Sequence, residues 1–294
     1  IEGINDITAY DRDQMNLLMA EVTALEEDRA EVERQKLLME ENRANLETSQ
    51  TTLDSLKASV TAILVEYRAQ EEQLQEEKNT LVADLNATRD ILKGVAEALK
   101  DVVTSSGFIR PYPSGFRISA GVWAYPEGGV HLGTDFAAPI GTNVRAVANG
   151  VVVYSSNACP TYGYLGSPCG APGRYQGGNQ VYLIVSVNGK TYAITYFHLM
   201  KDSVLPTGTI VNQGDYVAKT GSSGSSTGAH VHIEVVYLGT MSVGNYVANW
   251  NGNLVFGTSS GTNGLAYRCD YNGNKPPCRE NSQTIFNVVV GKYY

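Results

Sequence analysis

The chain has 294 residues, with 22 Lys and Arg against 30 Asp and Glu, so its formal net charge at pH 7 is −8. It lacks the clustered, aromatic-interleaved basic surface that nucleic-acid binding needs, so no nucleic-acid partner is expected. No run approaches the roughly 18 apolar residues of a membrane-spanning helix, so none of those is expected either.

Composition divides the chain. Residues 1–106 contain no proline and only Gly3 and Gly94, whereas the remainder holds 28 of the 30 glycines and all ten prolines. The first part reads as helix and the second as a turn-rich β domain, an α + β multidomain fold. Charge divides with it, 11 basic against 23 acidic residues in the first part and 11 against 7 in the second, or −12 and +4.

The helical part keeps a seven-residue step through Leu18, Leu25, Val32, Met39, Leu46, Leu53, Val60, Tyr67, Leu74, Leu81, Thr88 and Val95. That column predicts a coiled coil. Its partner column is half polar, with Arg29, Lys36, Arg43 and Lys57 before Leu85, Leu92 and Leu99. A parallel homodimer would bury those like charges, which favours a hairpin or a partner that supplies carboxylates. Residues 46–52 are the most turn-like stretch, although no Gly or Pro marks a bend there. Residues 1–106 are therefore read as a coiled-coil stalk, either a single long helix or a helical hairpin. The start at Ile1, without methionine or a signal-like segment, suggests a processed protein or an excised piece.

All four histidines lie in the second part. His131 precedes Asp135 by four residues in a Gly- and Pro-rich stretch, where an extended pair presents both side chains to one side. His198 ends an alternating aromatic strand. His230, His232 and Glu234 alternate with Val231, Ile233 and Val235, which places the polar three on one face of a strand. Two imidazoles and a carboxylate make a catalytic zinc set that leaves one position open, and two further histidines can act on the water. A structural zinc would close its shell, but five candidates exceed four places. Glu234 is read as support behind a ligand or as an outward strand residue. Cys159 and Cys169 flank one Gly/Pro/Tyr loop, and Cys269 and Cys278 flank another. Two local disulfides in an oxidising compartment are expected, with three pairings formally open.

These residues lie in four motifs. Val130 to Thr142 with Val147 to Val152, Gly178 to Val181, Tyr196 to Leu199, and Thr220 to Ser222 with Ser226 to Val235 come in that order along the chain. Together they resemble the lysostaphin-like (LytM-type) zinc endopeptidases that cut peptidoglycan peptides, over roughly residues 107–240. The resemblance implies a mostly antiparallel β peptidase domain in 107–294. It implies zinc as cofactor, held by His131, Asp135 and His232, with His198 and His230 as the unliganded catalytic pair. Tyr125, six residues before His131, is a further candidate contact to the transition state, or a packing tyrosine among the 18 of this chain.

The resemblance also implies a peptidoglycan hydrolase cutting stem-peptide or cross-bridge amides, secreted and associated with the cell wall. Coiled-coil relatives imply a membrane-bound regulatory partner linked to cell division, and the helical surface alternatively implies self-association. The competing function is a non-catalytic activator of a cell-wall amidase, known from relatives that have lost their zinc ligands. Here the five-residue set is intact. Residues 155–177 and 240–294 exceed the resemblance and are expected to wall the groove.

Overall fold

The computed structural model describes residues 2–95 and 98–294, without the side chains of residues 2–10, 100 and 101. It divides into two compact units, Ile1–Asn79 and Thr80–Tyr294.

The first unit is built from one helix, α1 (Glu2–Val95), whose last turns belong to the second. A segment without proline and rich in Leu, Glu and Ala favours a helix. Surface ion pairs such as Arg34–Glu31 and Arg43–Glu47 line it. Of the two alternatives, the single long helix is the one seen, and no reversal forms at 46–52. The Thr48, Thr51 and Thr52 hydroxyls donate to the carbonyls of Ala44, Glu47 and Thr48 at 2.9–3.0 Å, so the polar stretch bonds back into the helix. With no Gly or Pro to open the backbone, those side chains decorate the helix and do not end it. The heptad column from Leu18 to Leu81 is exposed along α1.

At the end of the helical part the second column turns apolar, and the second unit uses it. Leu92 and Leu99 are 3% and 1% exposed, packed in a cluster with Val243, Val247 and Trp250. Leu85 lies against Gly252, where a β-carbon would come within 2.1 Å of the leucine and φ is +85°. The positive φ favours glycine there. Leu92 and Leu99 are therefore part of the core of residues 80–294, with the half-buried Leu85 at its edge. Leu99→Ala is expected to destabilise that unit by about 2–5 kcal/mol, the range for emptying a buried leucine site. Thermal melting of the full chain checks this, and an unchanged transition would show that Leu99 carries no core packing.

The strands of the second unit are β1 (Arg117–Ala120), β2 (Trp123–Ala124), β3 (Val130–His131), β4 (Thr134–Ala137), β5 (Asn143–Arg145), β6 (Gly150–Ser156), β7 (Asn179–Val187), β8 (Lys190–Leu199), β9 (Ile210–Val211), β10 (Tyr216–Lys219), β11 (Val231–Gly239) and β12 (Cys278–Arg279). Helices α2 (Val243–Asn249) and α3 (Ser282–Phe286) flank β12 in sequence. The main sheet runs β1-β4-β11-β8-β7-β6-β9, with β12 on the same edge of β11 as β4. Every pairing in it is antiparallel, so the expected helix-then-β architecture is the one observed.

Strand alternation gives the sheet two chemically different faces. Val231, Ile233 and Val235 of β11 join Ile194, Tyr196 and Leu199 of β8 in one apolar cluster. Ala193, Phe197 and Val236 point the other way, into the cluster that holds Leu92 and Leu99. His232 and Glu234 share that second face. Disulfides join Cys159 to Cys169 and Cys269 to Cys278, the local one of the three connectivities left open by the sequence.

Candidate active site

Adjacent strands bring the first three residues together. Asp135 on β4 stands directly opposite His232 on β11, and His131 ends β3. The stretch from His131 to Asp135 is thus not one extended run, as the spacing predicts, because the chain leaves β3 at Leu132 and Gly133 before entering β4. Gly133 sits tightly in that bend. A β-carbon there would lie 2.4 Å from the Ile233 carbonyl oxygen and 2.7 Å from His232 Nε2, so only glycine lets the strands close. His131 Nε2 is 2.8 Å from His232 Nδ1 and 3.1 Å from Asp135 Oδ1, and His232 Nδ1 is 3.0 Å from the same oxygen.

The other two histidines complete the group. His198 has φ of +62°, a left-handed backbone that a histidine adopts at a cost of order 1–3 kcal/mol. That twist interrupts the alternation of β8: Leu199 returns to the apolar cluster, while His198 stays on the face of Phe197 and His232. Its Nδ1 is 2.7 Å from the Ser223 carbonyl oxygen, and its ring lies 4.7 Å from that of His230. His230 Nδ1 is 2.9 Å from the Gly228 carbonyl oxygen, and its Nε2 is 3.8 Å from Asp135 Oδ2. Tyr125 stacks on the His131 ring at 4.1 Å. Burial first, then the nearby Asp135 and Glu234, push its phenol up to about 12, so it remains a donor. A cavity of about 420 Å³ opens onto Tyr125, His131, His198 and His232.

Hydrogen bonding fixes which atoms face the centre. His131 Nδ1 is 2.5 Å from the Gly121 carbonyl oxygen, so it carries the proton and Nε2 presents a lone pair. His232 Nε2 faces Glu234 Oε1 at 3.4 Å, which leaves its Nδ1 as the second lone pair. Asp135 Oδ1 is the third acceptor. Three buried acceptors within hydrogen-bond range of one another require a cation between them, either a metal ion or an added proton. The donor set, two imidazole nitrogens and one carboxylate oxygen with a fourth direction free, fits zinc.

Titration behaviour follows from the same contacts. Burial opposes charge on His232, but hydrogen bonds to Asp135 and Glu234 outweigh it and raise the imidazole to about 9. Asp135 is held well below the usual carboxylate range, the surrounding His230, His131 and His232 outweighing burial. Burial, then the neighbouring His230 and His232, lower His198 to about 3 and keep it neutral. Without metal, His232 is therefore protonated below about pH 9, and metal must displace that proton. Apparent zinc affinity is expected to rise with pH by about tenfold from pH 7 to 8. Chelator competition at the two pH values measures it, and equal affinities would rule out the displaced proton.

Glu234 is 4% exposed, which excludes the outward-strand reading. Its oxygens pair at 2.5 Å with Arg174 and at 2.5 Å with Arg279. Burial opposes its charge, yet those arginines hold it well below the usual carboxylate range. Sequence reasoning missed both arginines. Arg174 lies in an aperiodic loop 60 residues before Glu234 and Arg279 in the two-residue strand β12, 45 residues after it, and the only signal was that each comes just after a cysteine pair.

Residues 129–245 match the model of Peptidase family M23. They form an M23 peptidase domain. All five histidine and aspartate positions fall inside it, whereas Tyr125 lies just before it and Arg279 well beyond it. Among similar proteins, the peptidoglycan DD-endopeptidase ShyA of Vibrio cholerae is 34% identical over 109 residues, 37% of this chain and 21% of that protein. Lysostaphin of Staphylococcus staphylolyticus is 32% identical over 133 residues, 44% of this chain and 23% of that protein. The chain thus spans less than a quarter of either relative's length. The solved catalytic domain of lysostaphin from Staphylococcus simulans is 27% identical and covers 44% of this chain and 85% of its own, with a TM-score of 0.32.

Proposed function

We propose that the M23 domain is a zinc endopeptidase that hydrolyses amide bonds in peptidoglycan stem peptides or cross-bridges. The observation that carries this reading is the trio His131, Asp135 and His232, three buried acceptors that need a cation, with two more imidazoles beside it. In this reading the trio holds zinc, which supplies Lewis acidity to water and to the scissile carbonyl. His198, neutral and held through Nδ1 by the Ser223 carbonyl, offers Nε2 to accept a proton from the attacking water. The proton then has a path to the leaving amine. His230, held through Nδ1 by the Gly228 carbonyl, has its Nε2 3.8 Å from Asp135 Oδ2 and its ring beside that of His198. Tyr125 stands at the mouth as an O–H donor for the developing oxyanion.

The intact five-residue set favours an enzyme over an amidase activator, which would need none of it. Two disulfides suit secretion into an oxidising, cell-wall environment. Among the described residues no helix is long and apolar enough to cross a membrane. The exposed heptad column of α1 supports a coiled-coil role for residues 1–106, through self-association or a membrane-bound partner that regulates the domain.

Digestion of purified sacculi by the full chain and by residues 80–294, followed by mass spectrometry, tests both parts. Peptides without reducing sugars are expected. Release of glycan fragments, or release only when an amidase is added, would overturn the peptidase reading. A faster rate for residues 80–294 is the expected sign of restraint by the helix, and equal rates would remove it.

A further inference from the structure

The segment beyond the M23 domain reaches the back of the metal cluster. Arg279, the last residue of β12, is 1% exposed, with Nη1 on Glu234 Oε2 and Nη2 donating to the Ser259 carbonyl at 2.8 Å. Arg174 takes the other oxygen of Glu234 through Nη2, and its guanidinium lies 4.8 Å from the Phe197 ring. Phe197 in turn stacks on His232, with ring centres 5.3 Å apart and planes within 9°. Each arginine follows a loop closed by a disulfide: Cys169 stands five residues before Arg174, and Cys278 adjoins Arg279.

Two buried guanidiniums on one carboxylate leave an excess of positive charge that an ion pair for stability does not call for. What the second arginine adds is a fixed position for the carboxylate, because both oxygens are then held. A carboxylate facing the outer nitrogen of a ligating imidazole sets the ring's orientation and basicity. Glu234 Oε1 occupies that place, 3.4 Å from His232 Nε2.

We propose that Arg174 and Arg279 are positioning residues for the metal site, clamping Glu234 so that it keeps His232 Nδ1 turned toward His131 and Asp135. The C-terminal segment thereby completes a centre whose ligands all lie within the M23 domain. This rests on the zinc reading above.

The test is zinc affinity of the full chain, measured at one pH by competition with a chromophoric chelator, for wild type, Arg279→Met, Arg279→Lys and Glu234→Asp. Arg279→Met and Glu234→Asp are expected to bind zinc about 10- to 100-fold more weakly, the range for losing such outer partners. Arg279→Lys is expected to lose less, since one of the two bonds survives. Glu234→Asp keeps a charge for both arginines but draws the carboxylate back from His232, so a purely structural ion cluster predicts no change in affinity. Wild-type affinity in Glu234→Asp overturns the proposal, and this variant decides the matter if Arg279→Met does not fold. A wild-type chain that holds no zinc would instead overturn the metal reading itself.

Discussion

Metal analysis of His232→Ala is expected to show most of the zinc gone, and with it the hydrolytic activity, by on the order of 10³-fold or about 4 kcal/mol of transition-state stabilisation. The reason is geometric. His232 Nδ1 is one corner of a triangle of acceptors, 2.8 Å from His131 and 3.0 Å from Asp135. Without it, one imidazole and one carboxylate remain, too few to hold a catalytic zinc against solvent. Full zinc content in His232→Ala would mean that the ion sits elsewhere.

His198→Ala and His230→Ala are expected to give the opposite split, zinc retained and turnover reduced by about 10²- to 10⁴-fold, the usual worth of a positioned proton acceptor. Both rings are held through Nδ1 by backbone carbonyls, so neither depends on the metal for its orientation. With removal of a group that acts only in the transition state, kcat should fall while KM changes little. Loss of zinc in His230→Ala would exchange its role with one of the proposed ligands.

Much of this centre was legible in the sequence because its residues are rare and its strands are regular. Four histidines in the whole chain leave few combinations, and the alternation from His230 to Val235 already places His232 and Glu234 on one face. The architecture was legible too, since proline is absent from one part and glycine nearly so, while both crowd the other. What the sequence hid was long-range. Nothing in a linear pattern joins Arg174 and Arg279 to Glu234, because one sits in an aperiodic loop and the other in a two-residue strand, each just past a disulfide. The left-handed backbone of His198 was equally hidden, since an alternating aromatic strand gives no sign of where its alternation breaks. For Leu85, Leu92 and Leu99 the heptad reading found the right residues but not their use. A seven-residue step shows that a helix face is apolar, and the face packs on whichever apolar surface is nearest. Here that is α2 and Trp250.

The alternation of β11 has a consequence for how this protein tolerates change. Val231, Ile233 and Val235 face the apolar cluster, while His232 and Glu234 face the candidate site, so site and core are written on interleaved letters of one strand. A survey of every substitution from Val231 to Val235 should therefore give position-specific signatures. Positions 231, 233 and 235 would lower the amount of folded protein and leave each surviving molecule competent, position 232 would lower specific activity above all, and position 234 would lower both, because its loss strands two buried guanidiniums. Selection can then adjust durability and chemistry separately along one short stretch of strand, except at Glu234, where the two are joined.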